Sequence, residues 1–181
     1  MNDTGFAVPA AKLHRLPVAY QRNRATGALE VFDPSGPESF FAKLPGFAGG
    51  HGGLVSTADD YLAFADMLLA HGRAHGRQVI PRELVHAMMT DQLSAEVKAR
   101  SPFIPGFWEQ RGWGYGVSLL RSAAPGEPRG CGWDGGYGTC AYWDAETGVT
   151  VLLLSQRLVE GPVYSQIYRD FFSTAYSAAG L

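Results

Sequence analysis

The stretch GTCAYWDAETGVTVLLLSQ, residues 138 to 156, constrains the fold more than any other part of the chain. Two runs rich in β-branched and aromatic residues, 138 to 144 and 149 to 156, are separated only by the turn-forming connection AETG. Such residues pack well on a pleated surface, and so short a connection returns the chain beside itself, so the segment specifies an antiparallel hairpin. Its apolar face needs a cover. The final segment, VYSQIYRDFFSTAYSAA, offers one: Val163, Ile167, Phe171 and Ala175 recur four apart with Tyr164, Tyr168 and Phe172 beside them, the wide stripe of a helix laid across a sheet.

The upstream sequence adds further elements. LPVAYQR (16 to 22) and ALEVFD (28 to 33) flank NRATG and read as a small ribbon, while PSGPESFFAKLPGFAGGHGG (34 to 53) reads as an irregular loop whose three phenylalanines pin it to a core. In STADDYLAFADMLLAHG (56 to 72), Ser56 or Thr57 caps a helix with Asp59 or Asp60 as the capping-box partner, and Gly72 ends it. Tyr61, Phe64, Ala65 and Leu68 give that helix one buried face. PRELVHAMM (81 to 89) opens a second helix at Pro81, with Leu84, Val85 and Met88 on one side. SPFIPGFWEQRG (101 to 112) reads as a loop, and GWGYGVSLL (112 to 120) as a strand whose glycines allow close packing. The fold class expected is α+β, an antiparallel sheet covered by helices, with 46% hydrophobic residues in 181 supplying one core.

Charge and composition exclude several functions. A net charge of −2 and a pI near 6.2 leave no basic footprint for nucleic acid or an anionic membrane surface. The longest apolar run, VTVLLLS (149 to 155), falls far short of the roughly 20 residues of a spanning helix, so no membrane span is expected. Export cannot be read from the N-terminus, MNDTGFAVPAAK, which lacks the basic start and apolar stretch of a secretion signal. Cys131 and Cys140 read as buried free thiols, too few to build a four-ligand zinc site. His71 and His75 lie either side of Gly72 in a turn, not on a helical metal-binding face, and His51 and His86 read as structural or surface groups. Neither a metal nor a cofactor is expected. Asp144 and Glu146 suit turn chemistry. There is no GxSxG elbow, HExxH or phosphate loop.

Three stretches together resemble the serine beta-lactamase and penicillin-binding-protein superfamily, especially its class C-like esterase and beta-lactamase-related members: MNDTGF (1 to 6), GGLVSTADDYLAFADMLL (52 to 69) and WDGGYGTCAYWDAETGVTVLLLSQR (133 to 157). The resemblance runs along essentially the whole chain and implies the C-terminal part of a beta-lactamase/DD-peptidase-like fold. It implies that Trp133, Asp134 and Gly135 occupy the third active-site box, on a sheet edge that lines the site, where they contact substrate. It further implies that the backbone N–H of Gly136 is an oxyanion donor, a role that suits glycine because substrate approaches the backbone closely. In the family that box is typically Lys-Thr-Gly, His-x-Gly or Trp-Gly-Gly, so the resemblance implies that Trp133 walls the pocket in place of a cation, which favours an ester or apolar acyl substrate. Trp108 and Tyr115 are candidates for the same pocket, with core packing the more ordinary role for such rings.

Two parts of the family pattern are missing. The lysines at 12, 43 and 98 follow Pro9, Phe40 and Ala95 at the spacing where an SxxK motif needs serine, and neither Asn2 nor Asn23 follows a Tyr or Ser in a Tyr-x-Asn or Ser-x-Asn box. Residues 1–181 are therefore expected to be a single partial domain, the C-terminal half of a serine hydrolase domain without its nucleophile, inactive alone. Its expected partners are a small-molecule ester or acyl substrate and, for an uncovered sheet edge and helix face, the missing N-terminal half or a second copy. The alternative is a non-catalytic binding or regulatory module, or a decayed gene fragment, of the same fold.

Overall fold

The computed structural model of the chain describes residues 1–101, 104–120, 129–161 and 166–181. Its residues gather in two units, one made of Met1–Phe64, Gly135–Thr139 and Leu154–Glu160, the other of Ala65–Asp134, Cys140–Leu153 and Gly161–Leu181.

In the first unit the expected ribbon forms. Strand β1 (Ala19–Arg22) pairs antiparallel with β2 (Leu29–Asp33), and Asn23 Oδ1 closes the intervening turn by accepting from the N–H groups of Ala25 at 2.9 Å and Thr26 at 3.1 Å. The loop after β2 contains two 3₁₀ turns, Gly36–Glu38 and Phe40–Ala42. Of its three phenylalanines only Phe41 is half-buried; Phe40 and Phe47 are exposed, so the loop is pinned through one ring and not three.

Helix α1 (Ala58–Leu69) follows and crosses from one unit into the other. Thr57 Oγ1 accepts from the Asp60 N–H at 3.3 Å, as a cap should. The reciprocal half of the capping box is absent, because the Asp60 carboxylate instead accepts from the N–H groups of Asn2 and Asp3 at 3.1 and 2.7 Å and from Thr4 Oγ1 at 2.8 Å. The apolar stripe is graded: Tyr61 and Phe64 are half-buried, Ala65 and Leu68 fully buried.

In the second unit a short ribbon, β3 (Arg73–Ala74) and β4 (Arg77–Gln78), succeeds α1, with His71 and His75 at left-handed turn positions. Helix α2 (Arg82–Met88) starts after Pro81 and buries Val85, whereas Leu84 is exposed, which narrows the expected apolar side. Two short helices, α3 (Ala95–Arg100) and α4 (Phe107–Gln110), occupy sequence with no strong periodicity; Ser94 caps α3 by accepting from the Val97 N–H at 3.2 Å. Residues 112 to 120 are not one strand. Strands β5 (Arg111–Trp113) and β6 (Ser118–Leu120) form a hairpin whose turn is closed by Gly114 N–H to Val117 O at 2.9 Å, with Gly116 at φ 77°.

The glycine-rich stretch is itself a strand, β7 (Gly130–Gly135), followed by β8 (Thr139–Asp144) and β9 (Val149–Leu153). The sheet order is β5-β6-β7-β8-β9, with antiparallel pairing between β5 and β6, β6 and β7, and β8 and β9. Among the described residues the strand carrying the box is thus the central one of five, not the edge the resemblance implied. Residues 140 to 144 of β8 are all buried, so both faces of the strand are covered there. One face packs on the covering helix, and Trp143 Nε1 donates to Met89 Sδ at 3.3 Å.

That helix is α5 (Gln166–Ala178), which buries Tyr168, Phe172 and Tyr176 against Cys140, Tyr142 and Val151. The expected centre of its stripe shifts by one position: Phe171 and Ala175 flank the contact and Ile167 is exposed. Val163 and Tyr164 lie outside the described residues. Among the described residues no helix is long and apolar enough to cross a membrane.

Candidate active site

Strand β7 carries Trp133 and Asp134 in succession, and the pleat sends successive side chains to opposite faces. Trp133 is 38% exposed and sits edge-on to Trp113, with centroids 4.9 Å apart, and to Phe107 at 6.4 Å. Asp134 turns inward: its Oδ2 accepts from the Tyr142 hydroxyl at 2.8 Å and lies 3.6 Å from the Arg111 guanidinium. Arg111, 8% exposed, also donates to Ser118 Oγ at 3.2 Å and Tyr142 Oη at 3.4 Å, and stands over the Phe107 ring at 5.0 Å. A cation this deep requires an anion and hydrogen-bond acceptors, and Asp134, Tyr142 and Ser118 supply them. On the same side, burial and then the neighbouring Cys140 and Asp134 push the Tyr168 phenol up to about 12.

The turn after β7 is built differently. Gly138 N–H donates to Gly135 O at 3.0 Å; Gly138 has φ 78°, while Gly136 and Tyr137 lie outside the left-handed region. This is a three-residue hairpin loop, a turn followed by one left-handed residue. Glycine is required at 138, where a Cβ would lie 2.0 Å from the Arg157 carbonyl oxygen. A trans peptide holds its N–H opposite its C=O. Because the Gly135 carbonyl is drawn into the turn, the Gly136 N–H in the same plane is aimed out of it. A Cβ at Gly136 would meet nothing within 4 Å, whereas one at Gly135 would meet Thr139 Oγ1. The Gly136 carbonyl accepts from Val159 N–H at 3.1 Å. The Tyr137 ring is edge-on to Phe32 and Phe41, at 5.8 and 5.6 Å, and its phenol is pushed up by burial and then by the charge of Asp33.

The remaining candidates separate. Trp108 donates its Nε1 to Ser101 O at 2.8 Å and packs on Phe107, a structural placement, while Tyr115 is exposed. Cys131 and Cys140 are free and buried, and burial pushes both thiols up to about 12, so neither is a nucleophile near neutral pH. Asp144 accepts from Glu146 N–H and Thr147 Oγ1, each at 2.9 Å, a turn role. No group of three His, Cys, Asp or Glu is disposed to hold a metal among the described residues. Arg111, Tyr142 and Phe107 were not legible as neighbours of the box; only the rule that a buried charge needs a partner would have sent a reader from Asp134 to look for a cation.

With this geometry in view, the beta-lactamase family profile matches residues 1–171. The chain belongs to the beta-lactamase family. It is 37% identical over 161 residues to protein Rv1367c of Mycobacterium tuberculosis (strain ATCC 25618 / H37Rv), covering 85% of this chain and 39% of that protein. It is 28% identical over 163 residues to esterase EstB of Burkholderia gladioli, covering 87% of this chain and 34% of the esterase. Simvastatin synthase (LovD) from Aspergillus terreus superposes with a TM-score of 0.71 at 19% identity, over 98% of this chain and 46% of the synthase, a likeness of fold. The chain spans less than half the length of each of these relatives. An antiparallel sheet with helical cover is thus the beta-lactamase/DD-peptidase-like fold, in a family of serine hydrolases.

Proposed function

We propose that residues 133 to 136 form one part of the acyl-transfer site of a serine hydrolase acting on an ester or related acyl compound. In this reading Gly136 donates its backbone N–H to the oxyanion, while Trp133 and Gly135 border the substrate. Asp134 contributes from beneath by holding β7 through Tyr142 and Arg111. The observation that carries the reading is the turn after β7: the Gly136 N–H is aimed outward, with open space above the residue. An acyl-transfer intermediate needs such donors about 3 Å from its oxyanion. An exposed indole at position 133, in place of a cation, suits an ester or apolar acyl group better than a carboxylate-bearing one, and an esterase among the relatives is consistent with that.

No lysine in the 181 residues completes an SxxK motif, so the attacking serine belongs to polypeptide outside them and this chain is one part of a catalytic domain. Its natural partner is then that missing portion. The chain alone, incubated with a chromogenic short-chain ester and an active-site fluorophosphonate, should neither turn over nor label; the full-length protein carrying an SxxK segment should do both. Stoichiometric labelling of any serine in the chain alone refutes the reading. The lack of both family boxes also favours a second reading, a non-catalytic binding module, which a full-length protein inert to both reagents would support.

A further inference from the structure

We propose that Tyr137 is a positioning residue for the Gly136 N–H donor, acting through the turn the two share; this rests on the role given to Gly136 above. Three of the four residues from 135 to 138 are glycine, so the Tyr137 ring is the turn's one side-chain anchor. The peptide plane that carries the Gly136 N–H joins two glycines, whose backbone is the least restrained of any residue. Backbone bonds hold its neighbours: Val159 N–H fixes the Gly136 carbonyl and Gly138 N–H closes the turn. The ring fixes the turn from its other end.

The socket for that ring is braced. Phe32 belongs to β2 and is edge-on to Tyr137 at 5.8 Å and to Phe40 at 5.9 Å. Phe41, edge-on at 5.6 Å, has its N–H on Ser39 Oγ at 3.1 Å and its carbonyl on Val8 N–H at 2.7 Å. The buried Asp33 joins the two sides by accepting from Ser39 Oγ and the Phe40 N–H, each at 3.0 Å. The sequence FDPSGPESFF thus builds a two-ring clamp, and the turn that displays the donor seats its one ring in it. A donor held to the oxyanion by so slender a turn loses rate when the turn drifts, and a displacement near 1 Å is enough to cost about 10²-fold.

The experiment is a kcat and KM comparison in the full-length protein on p-nitrophenyl butyrate. Tyr137→Ala, and Tyr137→Leu as the variant that keeps apolar bulk, are expected to lower kcat by about 10- to 100-fold with KM changed by no more than about threefold. Tyr137→Phe, which keeps the ring, restores kcat, and Phe41→Ala lowers it in the same sense. Gly136→Pro removes the N–H itself while proline suits the second position of the turn, so it should cost about 10² to 10³ in kcat. If Gly136→Pro abolishes turnover while Tyr137→Leu keeps the parent kcat, the role of Tyr137 is overturned and that of Gly136 stands. A loss that Tyr137→Phe fails to reverse also overturns it. Parent-like kcat in Gly136→Pro removes the Gly136 assignment, and the Tyr137 proposal with it.

Discussion

Replacing Tyr142 with phenylalanine deletes one oxygen from the network beneath β7 and leaves the packing in place. The side chain is 0% exposed and its ring is edge-on to Phe172 at 5.5 Å, a space that phenylalanine fills equally well. The substitution removes an O–H donor 2.8 Å from Asp134 Oδ2 and an acceptor 3.4 Å from Arg111. A hydrogen bond to a charged group contributes about 1.5–3 kcal/mol. Asp134 keeps Arg111 at 3.6 Å, and its side chain is 24% exposed, so the guanidinium and water offset part of the loss. The expected destabilisation is therefore at the lower end, about 1.5 kcal/mol. Urea unfolding followed by circular dichroism measures it as a lower midpoint at unchanged slope. Combining the substitution with Asp134→Asn isolates the pair, for which a coupling of about 1 kcal/mol is expected. A Tyr142→Phe variant within about 0.3 kcal/mol of the parent, or a coupling of zero, refutes the account of how β7 is held.

Gly132→Ala places a Cβ 2.0 Å from the Ala141 carbonyl oxygen, which forces β7 and β8 apart; a loss near the top of the overpacking range, about 3 kcal/mol, should appear in thermal unfolding, and a parent-like transition would contradict the packing. With both thiols pushed up to about 12 by burial, iodoacetamide at pH 8 should leave Cys131 and Cys140 unmodified in the native protein and alkylate both after unfolding, as mass spectrometry would read; native labelling of either counts against their burial. Burial raises the Asp91 carboxyl, but Lys98 and the N–H groups of Trp113 and Leu93 outweigh it and hold the group below its ordinary value. A depressed native pKa stabilises above the unfolded value and the benefit is lost as pH falls through the native one, so the stability gap between the parent and Asp91→Asn should narrow as the pH falls below the ordinary carboxylate range; a gap independent of pH rules this out.

What the sequence disclosed and what it hid follow from the range of the forces involved. The β8–β9 hairpin, β1–β2, α1 and α5 announce themselves through turn residues, caps and periodicity, which are local. The β5–β6 turn did not, because GWGYGV spaces glycines and large residues as a strand does; part of what fixes it is remote, the Tyr115 N–H on the Met88 carbonyl at 3.1 Å. Strand β7 was obscured by glycine, which lowers β-propensity; it is a strand because β6 and β8 hold it on both sides, and Gly132 lets β8 come close. At the site, the pattern around Trp133 pointed to the box. Asp134's attachment to Tyr142 and Arg111 joins β5, β7 and β8, and no spacing along the chain encodes it.

That attachment bears on the substrate proposed. The Arg111 charge lies under the box, yet it is 8% exposed and engaged by Asp134, Tyr142 and Ser118. Drawing it outward to meet an anionic ligand would strip Asp134 of its cation and Arg111 of its acceptors, a cost that the 24% exposure of the Asp134 side chain holds below the roughly 3–5 kcal/mol of a fully buried pair. What β7 offers outward at this level is the Trp133 ring, backed by Trp113 and Phe107, which rewards apolar area and not charge. The internal neutralisation of Arg111 and the aromatic at 133 therefore act together: both disfavour a carboxylate at this wall, and both are consistent with a neutral ester.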